Sequence, residues 1–275
     1  MHTFRRWKRL RRMLLPPPQD SSLPAFVFGQ QRSGTSMLMY LLEMHDMTEL
    51  YDEAWESPVF REYRIRSFEA VDVALARSRA RLVCVKPICD SHVIRRFLER
   101  YPEGRHLWIH RHYLDAANST IRMFEKSDRA LRIVCTGGTG GGWFQEGISE
   151  EMLRRLKKVY RPHFSRLECA CLVWWARNRL VLEEDLAREE NVYLLRYEDL
   201  VTRVEEETRQ LFRFLGLPFQ RSVTAHVHAE SIRRHDYPPV DPTVADLCEE
   251  LTENLDRARE RNRGRHGELQ RAGKR

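Results

Sequence analysis

The chain has 275 residues, enough for one sizeable α/β domain. Apolar residues at 42% and aromatic residues at 10% indicate a globular protein and exclude a disordered one. The net charge of +7 is carried by the ends, because residues 1–12 hold six Lys/Arg and no acid, and residues 257–275 hold eight against two acids. The intervening part has a charge of about −5, so the pattern does not favour a nucleic-acid-binding core.

The two basic ends suggest a division into an N-terminal tail (1–22), a single domain (23–256) and a C-terminal tail (257–275). The first tail is expected to be solvated; the alternative is a weak contact with an anionic membrane surface or a partner through Trp7 and Leu10. Its apolar run before three prolines is too short for a signal peptide or a membrane span. Six cysteines show no zinc-ligand spacing, which predicts free thiols and, with no anchor, a cytoplasmic protein.

Four short apolar runs, each followed by helical sequence, predict buried parallel strands with helices on both faces of the sheet. The predicted strands are Ala25–Phe28, Arg81–Val85, His106–His110 and Val192–Leu195. The helices that follow them are predicted at Ser36–Met44, near Ser91–Arg100, near Leu114–Phe124 and at about Arg203–Leu215. The last tail, from about Arg257, is expected to be a frayed helix or disordered.

Polar residues follow each predicted strand, at the edge where parallel sheets bind ligands. Between the third and fourth strands lies a long insertion that contains glycine-rich residues 137–142. This segment is interpreted either as a mobile loop over the site or as a flexible surface connection. Trp174 and Trp175, further along the insertion, are typical of core packing. The sequence assigns no role to Asn178.

The loop Gly29–Ser36 follows the first strand and begins a helix, so its N–H groups and the helix N-terminus can face an anion. Its two glycines have the spacing of the nucleotide-binding GxxxxGK[ST] loop, but Thr35 stands at the lysine position. The only cation in the loop is Arg32. A P-loop resembling that of nucleotide-binding proteins is therefore predicted, without the lysine that grips the β- and γ-phosphates of ATP.

QRSGTS within this loop resembles the 5′-phosphosulfate loop of the sulfotransferase family, in the arginine form found among bacterial, carbohydrate and protein-tyrosine sulfotransferases. WIHRHYLDAANSTIR, at Trp108–Arg122, is similar to the family's 3′-phosphate motif. VKPICDS, at Val85–Ser91, and the late blocks LLRYEDLV and FLGLP extend the resemblance over roughly 26–218. The resemblance implies a P-loop-like α/β fold and transfer of a sulfuryl group from 3′-phosphoadenosine 5′-phosphosulfate (PAPS) to a hydroxyl or amine, without a metal.

The resemblance also implies roles for particular residues. Arg111 and Ser119 would bind the 3′-phosphate, where a guanidinium forks onto phosphate oxygens. Tyr197 would contact the adenine or the loop beneath it. Lys86 would reach the transferring group. The full predicted donor site comprises Gln31, Arg32, Ser33, Gly34, Thr35, Ser36, Arg111, Ser119 and Tyr197.

The general base is predicted to be Glu53, because glutamates of several relatives lie at a comparable distance after the donor loop. A carboxylate beside apolar Trp55 is expected to have a raised pKa, which suits proton abstraction. Arg32, Glu53 and Lys86 thus form the predicted catalytic set. The residues that compete with Glu53 for the role of base are Asp52, Glu56, Asp90, His110 and His112.

Two other functions stay open at this stage. A degenerate P-loop kinase or hydrolase would depend on magnesium and carry an acid at a strand end. A non-catalytic nucleotide-binding module would bind the donor without turnover. Among acceptors, a carbohydrate hydroxyl, a small-molecule alcohol or phenol, and a protein tyrosine all fit the predicted donor site.

Overall fold

The computed structural model describes residues 22–225, residue 227 and residues 237–272. The N-terminal tail predicted at 1–22 therefore lies, apart from Ser22, outside the described residues. No helix in these described ranges is both long enough and apolar enough to cross a bilayer. All six cysteines are described, and each is a free thiol.

A five-stranded parallel sheet forms the centre of the protein, with its strands in the order β2-β5-β1-β6-β7. Its strands are β1 (Leu23–Gly29), β2 (Thr48–Tyr51), β5 (Leu82–Val85), β6 (Arg105–His110) and β7 (Val192–Arg196). A separate two-stranded hairpin joins β3 (Phe60–Arg61) to β4 (Arg64–Ile65). The inner strands are apolar runs buried on both faces, as expected for a covered parallel sheet.

Helices cover both faces of the sheet. They are α1 (Thr35–Met44), α2 (Phe68–Arg77), α3 (Ile94–Arg100), α4 (Tyr113–Met123), α5 (Arg129–Cys135), α6 (Gly142–Glu146), α7 (Glu150–Val159), α8 (Arg166–Glu183), α9 (Tyr197–Thr202), α10 (Val204–Phe214) and α11 (Pro242–Ala272). Two buried apolar clusters lie on opposite sides of the sheet, because alternate residues of β1 belong to different clusters. The predicted α/β fold, with a parallel sheet and helices on both faces, is confirmed.

Two of the differences from the sequence prediction concern the sheet and the helix that follows β5. Strand β2, which forms one edge of the sheet, was not predicted, because TELY has two polar residues before two apolar ones and so lacks an apolar run. The helix predicted near Ser91–Arg100 begins as a 3₁₀ turn over Ile88–Val93 and becomes α-helical only at Ile94.

The predicted C-terminal tail is wrong for residues 257–268, which are helical and packed against the domain. Helix α11 crosses the expected boundary at 256/257 without a break. Asn262 accepts a hydrogen bond from Leu194 N at 3.1 Å and donates to Val192 O at 3.0 Å. The helix thereby covers the open hydrogen-bonding edge of β7, which parallel sheets must shield.

The basic residues of α11 suggested a solvated tail, but several of them are neutralised inside the fold. Arg263 Nη1 donates to Glu207 at 3.0 Å, and Glu207 is fully buried. Arg259 is buried and pairs with Asp199. The basic residues near the C-terminus therefore lie partly on a face of α11 that forms ion pairs with acids on α9 and α10.

The insertion between β6 and β7 contributes to the core through α8. Trp174 and Trp175 are both buried, which confirms their predicted packing role. Asn178, whose role the sequence did not show, accepts a hydrogen bond from Trp108 Nε1 at 3.2 Å and donates to Trp174 O at 3.0 Å. The Asn178 amide thus accepts the hydrogen bond of the buried Trp108 indole on the inner strand β6.

Candidate active site

The carboxyl ends of the five strands bring the predicted site residues to one edge of the sheet. Following the strand order, Glu53 lies just after β2, Lys86 after β5, the loop Gly29–Ser36 after β1, Arg111 after β6 and Tyr197 after β7. Neighbouring strands lie about 4.8 Å apart, so these groups form a spatial row that follows the strand order of the sheet. The anion-binding loop occupies the middle of that row.

The loop conformation depends on Gly34. Its φ of +93° lies in the left-handed region, and it directly precedes helix α1. A Cβ on Gly34 would stand 2.1 Å from Cδ2 of the buried Tyr197 ring. Only glycine allows the loop to pass beneath this aromatic ring.

Arg32 is the cation of the loop and also has a left-handed backbone, with a φ of +69°. Its side chain donates from Nε to Ser119 Oγ at 3.0 Å. The two residues are 87 positions apart, and one belongs to the predicted phosphosulfate loop while the other belongs to the predicted 3′-phosphate motif. The fold therefore joins the two motifs in one site.

A cavity of about 340 Å³ opens beside the loop, within the size range of small-molecule sites. It is lined by Arg32, Gly34, Thr35, Ser36, Met37, Arg111, Asp115, Asn118, Ser119, Arg122, Tyr197 and Tyr237. Three arginines against one aspartate make this lining positive, which suits an anionic ligand.

Arg111 is held in place by its neighbours in the cavity. Its guanidinium lies 4.6 Å from the centre of the Tyr197 ring, and Nη2 lies 3.6 Å from the buried Asp115 carboxylate. Tyr237 in turn donates to Asp115 Oδ1. Burial, followed by its contact with Asp115, raises the pKa of Tyr237 to about 12, so the hydroxyl is a proton donor at neutral pH. These contacts orient the guanidinium before any ligand arrives.

Two predicted donor residues lie outside the cavity lining. Gln31 points away from it and donates from Nε2 toward Cys89 Sγ at 3.8 Å. Ser33 is fully buried, and its Oγ has no hydrogen-bond partner among the described residues. The other seven predicted donor residues all line the cavity.

Five residues of the cavity received no role from the sequence. Asp115, Asn118 and Arg122 lie within the quoted 3′-phosphate motif, where their spacing from Arg111 on α4 was the available signal. Met37 lies in the first turns of α1. Tyr237 comes from a distant segment outside every motif, so no local pattern could have indicated it.

Glu53 and Lys86 meet at the β2–β5 end of the site. The Lys86 N–H donates to Tyr51 O at 3.0 Å, which aligns the two strand ends. Lys86 Nζ lies 2.5 Å from Asp52 Oδ1 and 3.6 Å from Glu53 Oε1. The Lys86 side chain is only 4% exposed. It is therefore a buried lysine and not a surface one, which agrees with the position predicted for it.

Burial raises the pKa of the Glu53 carboxyl, the charge of Lys86 opposes this, and the charge of Asp52 adds to it. The direction agrees with the sequence prediction, but the expected cause does not. Trp55 is 62% exposed and packs against Tyr63 at the hairpin, so it does not enclose the carboxylate. Glu53 Oε2 is buried without a hydrogen-bond partner among the described residues, which leaves it able to accept a proton.

The competing carboxylates are placed less favourably than Glu53 for proton abstraction. Both oxygens of buried Asp90 accept hydrogen bonds, from Arg64 Nε at 2.7 Å and from Ile65 N at 2.9 Å. Glu56 is exposed and pairs with Arg66. Asp52 is exposed and holds Lys86.

The two histidines lie at the other side of the donor loop. His110 is buried at the end of β6, with Nε2 3.8 Å from Asp256 on α11. His112 precedes α4, and its N–H donates to Glu198 at 2.9 Å. Both therefore support the end of β6.

The fold and the cavity define a P-loop-like α/β protein that binds an anionic ligand at the carboxyl edge of its sheet. A family model described as the sulfotransferase domain matches residues 24–236, well over half of the 275 residues. The chain therefore belongs to the sulfotransferase family, as the motifs predicted. No curated protein matches the chain in sequence.

One solved sulfotransferase domain shares the fold, and two further solved sulfotransferases resemble the chain with lower TM-scores. The sulfotransferase domain of the curacin biosynthetic pathway is 19% identical, with a TM-score of 0.50, and the match covers 84% of this chain and 99% of that one. A sulfotransferase from Alicyclobacillus acidocaldarius is 20% identical, with a TM-score of 0.49 over 90% of this chain and 97% of that one. Mouse sulfotransferase SULT7A1, solved in complex with 3′-phosphoadenosine 5′-phosphate (PAP), is 11% identical. Its TM-score is 0.42, and the match covers 88% of this chain and 84% of that one.

The protein is thus a sulfotransferase, an enzyme that transfers a sulfuryl group. The family uses PAPS as its donor. Neither the degenerate kinase or hydrolase nor the non-catalytic binding module is favoured by the family match.

Proposed function

We propose that PAPS binds in the cavity between α1 and α4, with its phosphosulfate on the loop Gly29–Ser36 and its 3′-phosphate on Arg111 and Ser119. The observation that carries this proposal is the 3.0 Å hydrogen bond between Arg32 and Ser119, since it couples the two anion-binding motifs. The positive cavity lining supports the same ligand. The product, 3′-phosphoadenosine 5′-phosphate (PAP), keeps the 3′-phosphate and would occupy the same contacts.

Within this arrangement, Arg32 lies at the bridge between the phosphate and the sulfuryl group. Thr35 and Ser36 donate hydroxyl hydrogen bonds to the phosphosulfate oxygens, together with the N–H groups at the start of α1. Gln31 and Ser33 shape the loop, because their side chains do not reach the cavity. Tyr197 supports the loop and the arginine of the 3′-phosphate site.

Glu53 is the proposed general base. It takes the proton of the acceptor hydroxyl while the acceptor oxygen forms a bond to sulfur and the sulfur–oxygen bond to the 5′-phosphate breaks. The sulfuryl group moves in line to the acceptor, and PAP leaves with the electrons of the broken bond. Arg32 and Lys86 stabilise the charge that grows on the leaving phosphate and the transferring group.

The acceptor is a hydroxyl or an amine on a carbohydrate, a small molecule or a protein tyrosine. We place the enzyme in the cytoplasm, in agreement with six free thiols. Among the described residues, no group of three or more His, Cys, Asp or Glu side chains is arranged to hold a metal ion. The proposed transfer is metal-independent because arginine and lysine supply the positive charge.

Incubation with sulfur-labelled PAPS, an acceptor panel and excess EDTA tests this function. We expect labelled product that EDTA does not diminish, and loss of PAP binding in Arg111→Ala. The matched control is Arg96→Ala, which removes an exposed arginine outside the cavity. A preference for ATP over PAP, or undiminished PAP affinity in Arg111→Ala, would contradict the proposal.

A further inference from the structure

Arg177, on helix α8, is a buried cation that no carboxylate neutralises directly. The residue is 3% exposed. Within the described part of the chain its guanidinium makes no hydrogen bond or ion pair, and Nη2 is fully enclosed. Its close contact is with the ring of Trp143, whose centre lies 4.4 Å away. Burial lowers the pKa of Arg177 to about 10, so it remains charged at neutral pH.

The nearby carboxylates belong to another arginine. Arg64 donates to Asp90 from Nε at 2.7 Å and to Glu146 from Nη1 at 2.9 Å. Glu146 Oε2 also lies 3.4 Å from His92 Nε2. Both acids thus have other partners, and neither forms an ion pair with Arg177 among the described residues. A guanidinium buried without a partner is unfavourable, so Arg177 is a candidate for a ligand that supplies the opposite charge.

His92 shares this pocket with Arg177. A Cβ on Gly147 would lie 2.5 Å from His92 Cβ and 3.1 Å from Arg177 Nη1, so the absence of a side chain at Gly147 leaves these groups adjacent. Burial lowers the pKa of His92, and the charges of Arg177 and Arg64 lower it further, while Asp90 and Glu146 oppose them. The pocket therefore holds two arginines and two carboxylates, and both carboxylates form their ion pairs with Arg64.

This pocket lies beside the donor loop. Arg177 does not line the donor cavity. Cys89 connects it to the donor loop, since its sulfur accepts from Gln31 of that loop at 3.8 Å. Burial raises the pKa of the Cys89 thiol to about 12, the charge of Glu53 adds to this and the charge of Arg177 opposes it. Glu53 and Arg177 thus both act on one thiol beside the loop.

We propose that Arg177 binds an anionic group of the acceptor, a carboxylate or a sulfate, and so holds the acceptor hydroxyl at Glu53. This proposal rests on the function proposed above and narrows the acceptor to an acidic molecule. Trp143, on α6 just after the glycine-rich segment, covers the Arg177 guanidinium. Entry of the anion therefore requires the Trp143 ring to move aside. The acid then takes the place of the cation–π contact.

Thermal melting of the PAP-saturated enzyme with added sodium sulfate tests the anion site, because PAP fills the donor cavity. Compared with wild type, Arg177→Gln should melt about 2–4 °C or more higher without sulfate, since it removes an unpaired buried charge. Sulfate should raise the melting temperature of the wild type by more than it raises that of Arg177→Gln. Arg179→Gln, on the same helix and paired with Glu183, should respond to sulfate as the wild type does and controls for general salt effects.

The acceptor preference gives a second readout. Among acceptors that the wild type sulfates, hydroxy acids should be used better than their neutral amides by about 10–100-fold in kcat/KM, the range for hydrogen bonds to charged groups. In Arg177→Gln this preference should disappear through a higher KM for the acids, with PAP affinity unchanged.

An Arg177→Gln variant that melts lower or fails to fold would show a structural arginine and overturn the proposal. Equal sulfate responses in wild type and variant, or amides used as well as acids, would do the same. An incorrect proposal for the donor site would give a different result, because the wild type would then not bind PAP.

Discussion

Replacing Gly34 by alanine should disrupt the donor loop, and the structure sets the size of the effect. The left-handed backbone at φ +93° costs a residue with a Cβ about 1–2 kcal/mol. The new methyl would also stand 2.1 Å from the buried Tyr197 ring, and overpacking of this kind costs about 1–3 kcal/mol. Together these give about 2–5 kcal/mol, or roughly 5–15 °C in melting temperature for a chain of this size.

The assay is urea or thermal unfolding of Gly34→Ala together with a calorimetric titration with PAP, which should bind far more weakly. Gly137→Ala separates the two penalties, because Gly137 also has a left-handed φ of +80° but would place its Cβ in open space. That control should lose only the backbone part, about 1–2 kcal/mol. In a Tyr197→Ala background, Gly34→Ala should lose no more than that. Equal losses in Gly34→Ala and Gly137→Ala would refute the steric reasoning.

Two further predictions concern the base and the C-terminal helix. Glu53→Gln should lower kcat by about 10²–10⁴-fold with PAP affinity unchanged; an unaltered rate would exclude Glu53 as the base. Because the pKa of Glu53 is raised and the base must be deprotonated, kcat/KM of the wild type should fall as the pH drops through that raised pKa. Glu53→Gln should lack this limb of the pH profile. Asn262→Ala should destabilise the fold by about 2–4 kcal/mol, since it leaves Leu194 N and Val192 O buried without their partner; a change below about 0.5 kcal/mol in urea unfolding would contradict this.

Much of the fold was predictable because its inner strands are continuous apolar runs. Four of the five sheet strands and the helices after them follow from such runs and from glycine and proline at their ends. Strand β2 was missed because an edge strand is half-exposed and its sequence TELY has no apolar run. The C-terminal helix was misjudged because pairing partners such as Glu207 lie some 50 residues earlier in the chain.

The cavity at the proposed donor site was predictable for a different reason. Gly34, Arg32 and Arg111 lie in short motifs at strand ends, and a parallel sheet brings such ends to one edge. The contact between Arg32 and Ser119 could not be derived from either motif alone, because it depends on β1 and β6 being neighbours. Tyr237 could not be predicted for the same reason, since only the tertiary fold brings its hydroxyl to Asp115.

The proposed anion site at Arg177 was least predictable, because its groups come from unrelated segments. Arg177 interrupts the apolar run CLVWWARNRL, and a charge within such a run was the one available signal. The sequence does not show that Arg177 lacks an ion pair, because this depends on Arg64 binding both neighbouring acids in the fold. Sequence reasoning detects motifs that bind a shared donor more readily than pockets that bind a particular acceptor.

The central claim is that the cavity recognises a 3′-phosphate through Arg111 and Ser119. Calorimetric titration with PAP and with 5′-AMP tests it most directly, because the two ligands differ only in that phosphate. The wild type should bind PAP about 100-fold more tightly, in keeping with several charge-assisted hydrogen bonds, and Ser119→Ala should reduce this preference about tenfold. Equal affinity of the wild type for PAP and 5′-AMP would contradict the account.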